Sequence, residues 1–215
     1  MPARRLEEIW NGLDPDGPGA VIWCRPVEES RVVVLLGAFD PPTLAHVRLA
    51  VAGGRACDAP AAFCLTKVLL ARPSDVLFNS VRRLRFLNEL AEDERLGLAV
   101  ANRGTYLDAH RAMRASSIDA TFVIGSDKLA QLADPSFYAD GARGVEATFS
   151  EVSFLVVPRP GSTVGRDDVR VLDAADVFDD VDEASISSTE VRRRLRAGES
   201  VEGLVPPGVA RRLEL

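Results

Sequence analysis

Residues 37–46 place a glycine, two prolines, a threonine and a histidine directly after the apolar run 32–36. A glycine at this point lets the backbone approach a ligand, and Thr43 is well placed to cap the helix that follows. The free N–H groups and positive dipole of a helix start favour a phosphate, whose oxygens His46 could reach from the first turn. The same residues also suit a plain capped helix with a surface histidine.

A second segment, residues 186–192 (ISSTEVR), groups three hydroxyls with an arginine. Ser187 and Glu190 have the S-x-x-E spacing of a capping box, which by itself predicts only a helix start. Three hydroxyls, free N–H groups and Arg192 one turn into the helix would also form a cradle for a triphosphate. The spacing therefore allows either a simple helix start or an anion site.

The chain between and around these segments predicts the scaffold that positions them. Apolar runs predict strands at residues 32–36, 61–66, 96–100, 120–124 and 152–157, with a shorter candidate at 169–172. Helical stretches lie between them, at residues 44–52, 81–91, 105–115 and 128–132. This alternation predicts an α/β fold, a Rossmann-like doubly wound parallel sheet of about five to six strands with helices on both faces. Ligands bind at the carboxyl ends of strands in such sheets, so the site is expected there.

Two regions are predicted to lie outside this alternating pattern. Residues 1–30, with a short helix at 3–12 and an edge strand at 20–24, read as an N-terminal extension packed on a main domain of residues 31–215. The polar, glycine-containing stretch 140–150 predicts a surface loop.

Composition excludes several classes of function. The 215 residues carry 26 Lys and Arg against 32 Asp and Glu, a net charge of −6 that disfavours a nucleic-acid partner. Three cysteines without a C-x-x-C pair, and two histidines, cannot form a zinc site of the usual spacing, and no metal ligand is expected. No apolar run approaches the roughly 20 residues that span a bilayer. We expect a cytoplasmic protein with free thiols and small-molecule partners, and a homo-oligomer stays open.

The two segments together resemble the nucleotidyltransferase superfamily that carries the signatures (H/T)-x-G-H and I-S-S-T-x-(I/V)-R. The loop G-x-F-D-P at residues 37–41 and the chain length are most similar to nicotinamide/nicotinate mononucleotide adenylyltransferases. A third stretch, residues 122–138, is similar to their G-x-D-x-L…D-P-x-(F/Y)-Y segment. The three blocks span residues 31–212 in the family's order. Phosphopantetheine adenylyltransferases share the threonine form of the first signature but are usually shorter.

The resemblance implies a role for each matching residue. His46 would bind the α-phosphate of ATP, with Thr43 also against phosphate. The mononucleotide would meet the backbone of Gly37, Ala38 and Phe39, and the adenosine pocket would include Gly125 and Asp127. The β- and γ-phosphates would be held by Ser187, Ser188, Thr189 and Arg192. A further cation, Lys67 or Arg72, would neutralise phosphate charge, and Mg²⁺ would bridge the phosphates.

The activity implied is transfer of an adenylyl group from ATP to nicotinamide or nicotinate mononucleotide, with release of pyrophosphate. One departure from the signature bears on it: the family's glycine before the final histidine is Ala45 here, whose methyl could crowd the nucleotide. Two alternatives therefore stay open. One is transfer to another phosphate acceptor such as phosphopantetheine, and the other is a nucleotide-binding protein without turnover.

Overall fold

The structure is a computed structural model, and it describes residues 1–68 and 76–213. Within this part of the chain seven strands form one sheet, in the order β1-β4-β3-β2-β5-β6-β7. They are β1 (Val21–Arg25), β2 (Arg31–Gly37), β3 (Ala61–Thr66), β4 (Gly97–Ala101), β5 (Asp119–Gly125), β6 (Ser153–Val157) and β7 (Arg170–Val171). All neighbouring pairs are parallel except β1 and β4, which are antiparallel.

Helices cover both faces of the sheet. In the described residues they are α1 (Ala3–Gly12), α2 (Leu44–Cys57), α3 (Ser80–Asp93), α4 (Tyr106–Ala115), α5 (Ser126–Leu132), α6 (Ala142–Glu151), α7 (Val181–Ser185), α8 (Ser188–Ala197) and α9 (Pro207–Leu213). Side chains alternate along β2: Val33 and Leu35 join an apolar cluster with α1, α2 and α3, while Val32 and Val34 join another with α4 and α5. The predicted doubly wound α/β fold is confirmed.

The strand order reverses at β2, which pairs with β3 on one side and with β5 on the other. The connections that leave β2 and β5 therefore run to opposite faces, and a crevice opens between them at the carboxyl ends of the strands. The segment after Gly37 borders this crevice on one side, and the start of α5 at Ser126 borders it on the other.

Two details of the prediction are corrected. The sheet has seven strands because the predicted edge strand, observed as β1, pairs with β4 in the same sheet, and β7 extends the opposite edge. Residues 140–150, predicted as a loop, contain most of α6. Gly141 precedes this helix with a φ of 55°. Within the helix Thr148 is buried, and the Phe149 ring lies 5.5 Å from that of Phe154 in β6.

Candidate active site

The start of α2 is built around a reciprocal bond between Thr43 and His46. The backbone N–H of Thr43 donates to His46 Nδ1 at 2.9 Å, and Thr43 Oγ1 lies 2.8 Å from the same nitrogen. Because a backbone N–H can only donate, Nδ1 must be an acceptor, and the proton of the neutral ring then sits on Nε2. The helix cap thus fixes the imidazole as a hydrogen-bond donor through Nε2.

The surroundings of His46 keep its imidazole uncharged. Burial, with a smaller contribution from the nearby positive charge of Arg159, lowers the pKa of His46 to about 3. The Phe39 ring is buried and meets the imidazole edge-on at 5.1 Å between centroids. His46 is therefore a neutral donor at physiological pH, held by its own helix cap and by an aromatic ring.

The second segment meets the first across the crevice. Ser187 caps α8, its Oγ accepting from Glu190 N–H at 3.2 Å. Ser188 Oγ donates to Pro41 O at 2.8 Å, and Arg192 Nη1 donates to Asp40 O at 2.9 Å. These contacts join residues 147 and 152 positions apart in the chain. The two segments that the sequence singled out thus form one site.

Glu190 does not complete the predicted capping box with Ser187. Its carboxylate instead accepts from Arg193 and Arg194, each at 2.8 Å, on the outer face of α8. Arg192 turns inward, where Nη2 also donates to Thr189 Oγ1 at 3.3 Å. The arginine named by the signature is therefore the one that reaches the loop after β2.

The buried residues that fix the loop after β2 were not identified from the sequence. The buried Asp40 carboxylate accepts from the backbone N–H groups of Leu77 at 2.8 Å and Phe78 at 2.9 Å. Arg83, also buried, donates from Nη1 to Ala38 O at 2.7 Å. Arg83 had one visible signal, since it is a charged residue on the apolar face of a predicted helix.

Arg159 is a further residue without a sequence signal. It follows β6, and its backbone N–H donates to Ser126 Oγ at 2.8 Å, while Nη1 donates to Ile186 O at 3.3 Å. It therefore connects the start of α5 to the segment before α8. Its Nε lies 3.7 Å from Asp127 Oδ1. A Cβ at Gly125 would stand only 2.4 Å from that oxygen, so a larger residue here would displace the Asp127 side chain.

The cytidylyltransferase-like family matches residues 34–194, which include both segments of the site and most of the sheet. The chain belongs to this family. A probable nicotinate-nucleotide adenylyltransferase of Solibacter usitatus is 31% identical over 83% of this chain and 94% of its own length. A probable nicotinate-nucleotide adenylyltransferase of Coprothermobacter proteolyticus is 27% identical over 86% of this chain and 93% of its own.

A solved structure shows the same fold. The nicotinic acid mononucleotide adenylyltransferase of Plasmodium falciparum, complexed with NaAD, superposes with a TM-score of 0.63 and 14% identity. The match covers 83% of this chain and 92% of that one. The resemblance drawn from the signatures is therefore confirmed for the family and for the enzyme class, nucleotidyltransferase.

In this cytidylyltransferase-like chain, Lys67 is placed against the N-terminal helix. Its Nζ donates to Trp10 O at 2.8 Å and Leu13 O at 2.5 Å, and it lies 5.5 Å from the Trp10 ring centroid. These carbonyls close the end of α1, so the described contacts of Lys67 join the N-terminal helix to the end of β3. Arg72, the other cation suggested by the sequence, lies outside the described residues.

Ala45 stands where the family signature has glycine, and no solvent reaches it. It belongs to the apolar cluster that also contains Val33 and Leu49. The methyl is therefore covered by protein and takes no space from the open crevice.

In the part of the chain that the structure describes, no group of three or more His, Cys, Asp or Glu residues could hold a metal ion. The Asp40 carboxylate, in the loop after β2, accepts from two backbone N–H groups. No described helix is long and apolar enough to cross a membrane.

A cleft of about 140 Å³ continues from Gly37 and Ala38 toward the starts of α4 and α5. Its wall is partly aromatic, with Tyr106, Phe137 and Tyr138. Tyr138 is fixed by its hydroxyl, which donates to Leu132 O at 2.9 Å. The crevice thus has a polar part at the two capped helices and an aromatic side pocket.

Proposed function

We propose that this chain joins ATP to nicotinate mononucleotide, forming a dinucleotide and releasing pyrophosphate. The observation that carries the proposal is the pair of bonds from Ser188 to Pro41 and from Arg192 to Asp40. They unite two helix starts, a neutral histidine and an arginine at the carboxyl edge of the sheet, an arrangement suited to a polyphosphate. The full-length relatives support nicotinate mononucleotide as the acceptor.

The proposed roles use the hydrogen-bonding atoms of each residue that are not engaged in the contacts described above. His46 donates from Nε2 to the α-phosphate, because Nδ1 is occupied by Thr43. Thr43 supports that imidazole and its helix start lies against the same phosphate. At α8, Ser187 caps the helix and Ser188 anchors it, so the first-turn N–H groups of Ser188 and Thr189 are offered to the β- and γ-phosphates with Arg192.

The remaining assignments place the two nucleosides on either side of this centre. The backbone of Gly37, Ala38 and Phe39 is proposed to meet the acceptor phosphate and ribose. Gly125 and Asp127, at the start of α5, are proposed to line the adenosine pocket. The aromatic side pocket would then hold the pyridine ring of the acceptor.

The reaction is an in-line displacement at the α-phosphorus of ATP. An oxygen of the acceptor phosphate forms the new P–O bond, and the bond to the β-phosphate oxygen breaks, so pyrophosphate leaves with its electron pair. The acceptor phosphate is already anionic at pH 7, so no general base is required. Catalysis then depends on positioning and on stabilising the charge at the α-phosphate, which the neutral Nε2–H donor and the helix starts are suited to do.

Magnesium is proposed to enter as part of the substrate, MgATP. The described residues offer no carboxylate cage, whereas Mg²⁺ commonly keeps several waters and binds through substrate phosphates. We also propose a cellular location and a role for the N-terminal residues. A cytoplasmic location is supported by three free cysteines, and residues 1–30 are proposed to act as an extension anchored by β1 and by Lys67.

The test is pyrophosphate release with ATP and Mg²⁺ against a panel of nicotinate mononucleotide, nicotinamide mononucleotide and phosphopantetheine. We expect release that requires a pyridine mononucleotide and is fastest with the nicotinate form. Release only with phosphopantetheine would show that phosphopantetheine, and not a pyridine mononucleotide, is the acceptor. ATP binding without release for any acceptor would indicate a nucleotide-binding protein without turnover.

A further inference from the structure

The side pocket next to Gly37 contains a positive charge that the reaction chemistry does not use. Lys128, on the first turn of α5, lines the pocket together with Gln131. Tyr106 and Phe137 also line the pocket, and the Phe137 side chain is exposed. A pocket with aromatic walls and one ammonium group suits a flat ring that bears a negative substituent.

The ammonium of Lys128 has little compensation from the protein. Its described hydrogen bond goes to the amide oxygen of Gln131, a neutral group. Burial lowers the pKa of Lys128, and the partly opposing attraction of Asp127 does not reverse this direction. The Asp127 carboxylate lies instead 3.7 Å from Arg159 Nε. A partly buried charge whose described hydrogen bond goes to a neutral amide favours a carboxylate supplied by a ligand.

We propose that Lys128 is the specificity-determining residue for the pyridine substituent, and that its ammonium selects the carboxylate of nicotinate over the amide of nicotinamide. The inference rests on the proposed function, and it adds the residue that discriminates between the two acceptors. Gln131 is a positioning residue, since its amide oxygen holds the ammonium on the pocket side of α5.

A competing explanation places Lys128 on the phosphate of the acceptor, because a phosphate is also an anion. The two mononucleotides separate these explanations, since they share phosphate, ribose and ring and differ only in carboxylate against amide. A lysine that contacts phosphate affects both acceptors equally, whereas a lysine that contacts the carboxylate affects the nicotinate form alone.

The experiment compares kcat/KM for both mononucleotides in the wild type, Lys128→Met, Lys128→Arg and Arg55→Gln. Removing a charged hydrogen-bond donor should lower the preference for nicotinate mononucleotide by about 10- to 100-fold, mainly through KM. Lys128→Arg keeps the charge and should retain most of the preference. Arg55→Gln removes an exposed charge near the far end of α2 and should leave the ratio unchanged.

Folding of the variants is followed by thermal unfolding. Lys128→Met removes a partly buried charge whose described hydrogen bond goes to a neutral amide, so its Tm should equal or exceed that of the wild type. Direct titration of each mononucleotide by calorimetry supplies a readout that does not depend on turnover. In it, Lys128→Met should weaken binding of the nicotinate form and leave the nicotinamide form unchanged.

The outcomes separate this inference from the proposed function. If the wild type makes dinucleotide and Lys128→Met keeps its preference, or loses both acceptors equally, Lys128 does not select the substituent although the function holds. If the wild type makes no dinucleotide but binds nicotinate mononucleotide through Lys128, the function fails and the selectivity holds. If it neither reacts with nor binds either mononucleotide, both are overturned.

Discussion

His46 has two roles: Nδ1 accepts from Thr43 N–H in the helix cap, and Nε2 is proposed to donate to the α-phosphate. Replacing His46 by asparagine separates them. Asparagine Oδ1 stands as many bonds from the backbone as His46 Nδ1, so it can accept from Thr43 N–H and preserve the helix cap. No asparagine atom reaches the position of Nε2. The variant should therefore keep the fold and lose the donor to the α-phosphate.

The expected magnitudes make this separation measurable. Loss of one donor to a developing oxyanion should lower kcat/KM by about 100- to 1,000-fold in both His46→Asn and His46→Ala. His46→Ala also leaves Thr43 N–H without its acceptor, which should cost about 1 kcal/mol of unfolding free energy in urea titrations. His46→Asn should stay within about 0.5 kcal/mol of the wild type. An asparagine variant with near wild-type activity would show that the cap alone matters, and would refute the donor role of Nε2.

Three further predictions follow from the described contacts. Asp40→Asn places an amide N–H against the backbone donors of Leu77 and Phe78, so urea titration should show a loss of about 1.5–3 kcal/mol; an unchanged midpoint would contradict that contact. Ala45→Gly should leave KM for ATP unchanged and lower stability by about 0.5–1 kcal/mol, whereas a large gain in kcat would show that the methyl crowds the nucleotide. The pKa of His46 is about 3 in the folded chain against 6.5 for an unperturbed histidine, so the unfolded state binds the proton first. The unfolding free energy should then fall as pH drops below 6.5, less steeply in His46→Asn, and equal slopes would contradict the shift.

Much of the scaffold could be predicted because its signal is local. The run Val32–Leu36 is apolar at every position, and the sheet buries both of its faces. Thr43 was predicted as a cap from its residue type and its place before a helix, and it caps α2. The loop predicted for residues 140–150 was wrong because the stretch has few apolar residues. One of them, Phe149, packs on Phe154 of β6, a contact that the local sequence does not reveal.

The two signature segments could be recognised from their residue types, whereas the residues that hold them through contacts distant in sequence could not. His46, Ser188 and Arg192 belong to two short motifs, and the structure brings these motifs together. Asp40 and Arg159 act through backbone groups that only the folded chain places beside them, 25 to 38 positions away along the chain. The described partners of Lys67 are carbonyl groups of the N-terminal segment, which the sequence did not indicate, and its contact with phosphate stays a prediction.

The central claim is that the adenylyl group of ATP is transferred whole to a pyridine mononucleotide at this site. Parallel reactions with ATP labelled at the α- or the γ-phosphate, each with nicotinate mononucleotide and Mg²⁺, test it most directly. We expect the α-label in the dinucleotide and the γ-label in pyrophosphate, with both transfers reduced at least 100-fold in His46→Asn. Recovery of the γ-label in the dinucleotide, or a dinucleotide that lacks the label in the reaction with α-labelled ATP, would contradict transfer of the adenylyl group.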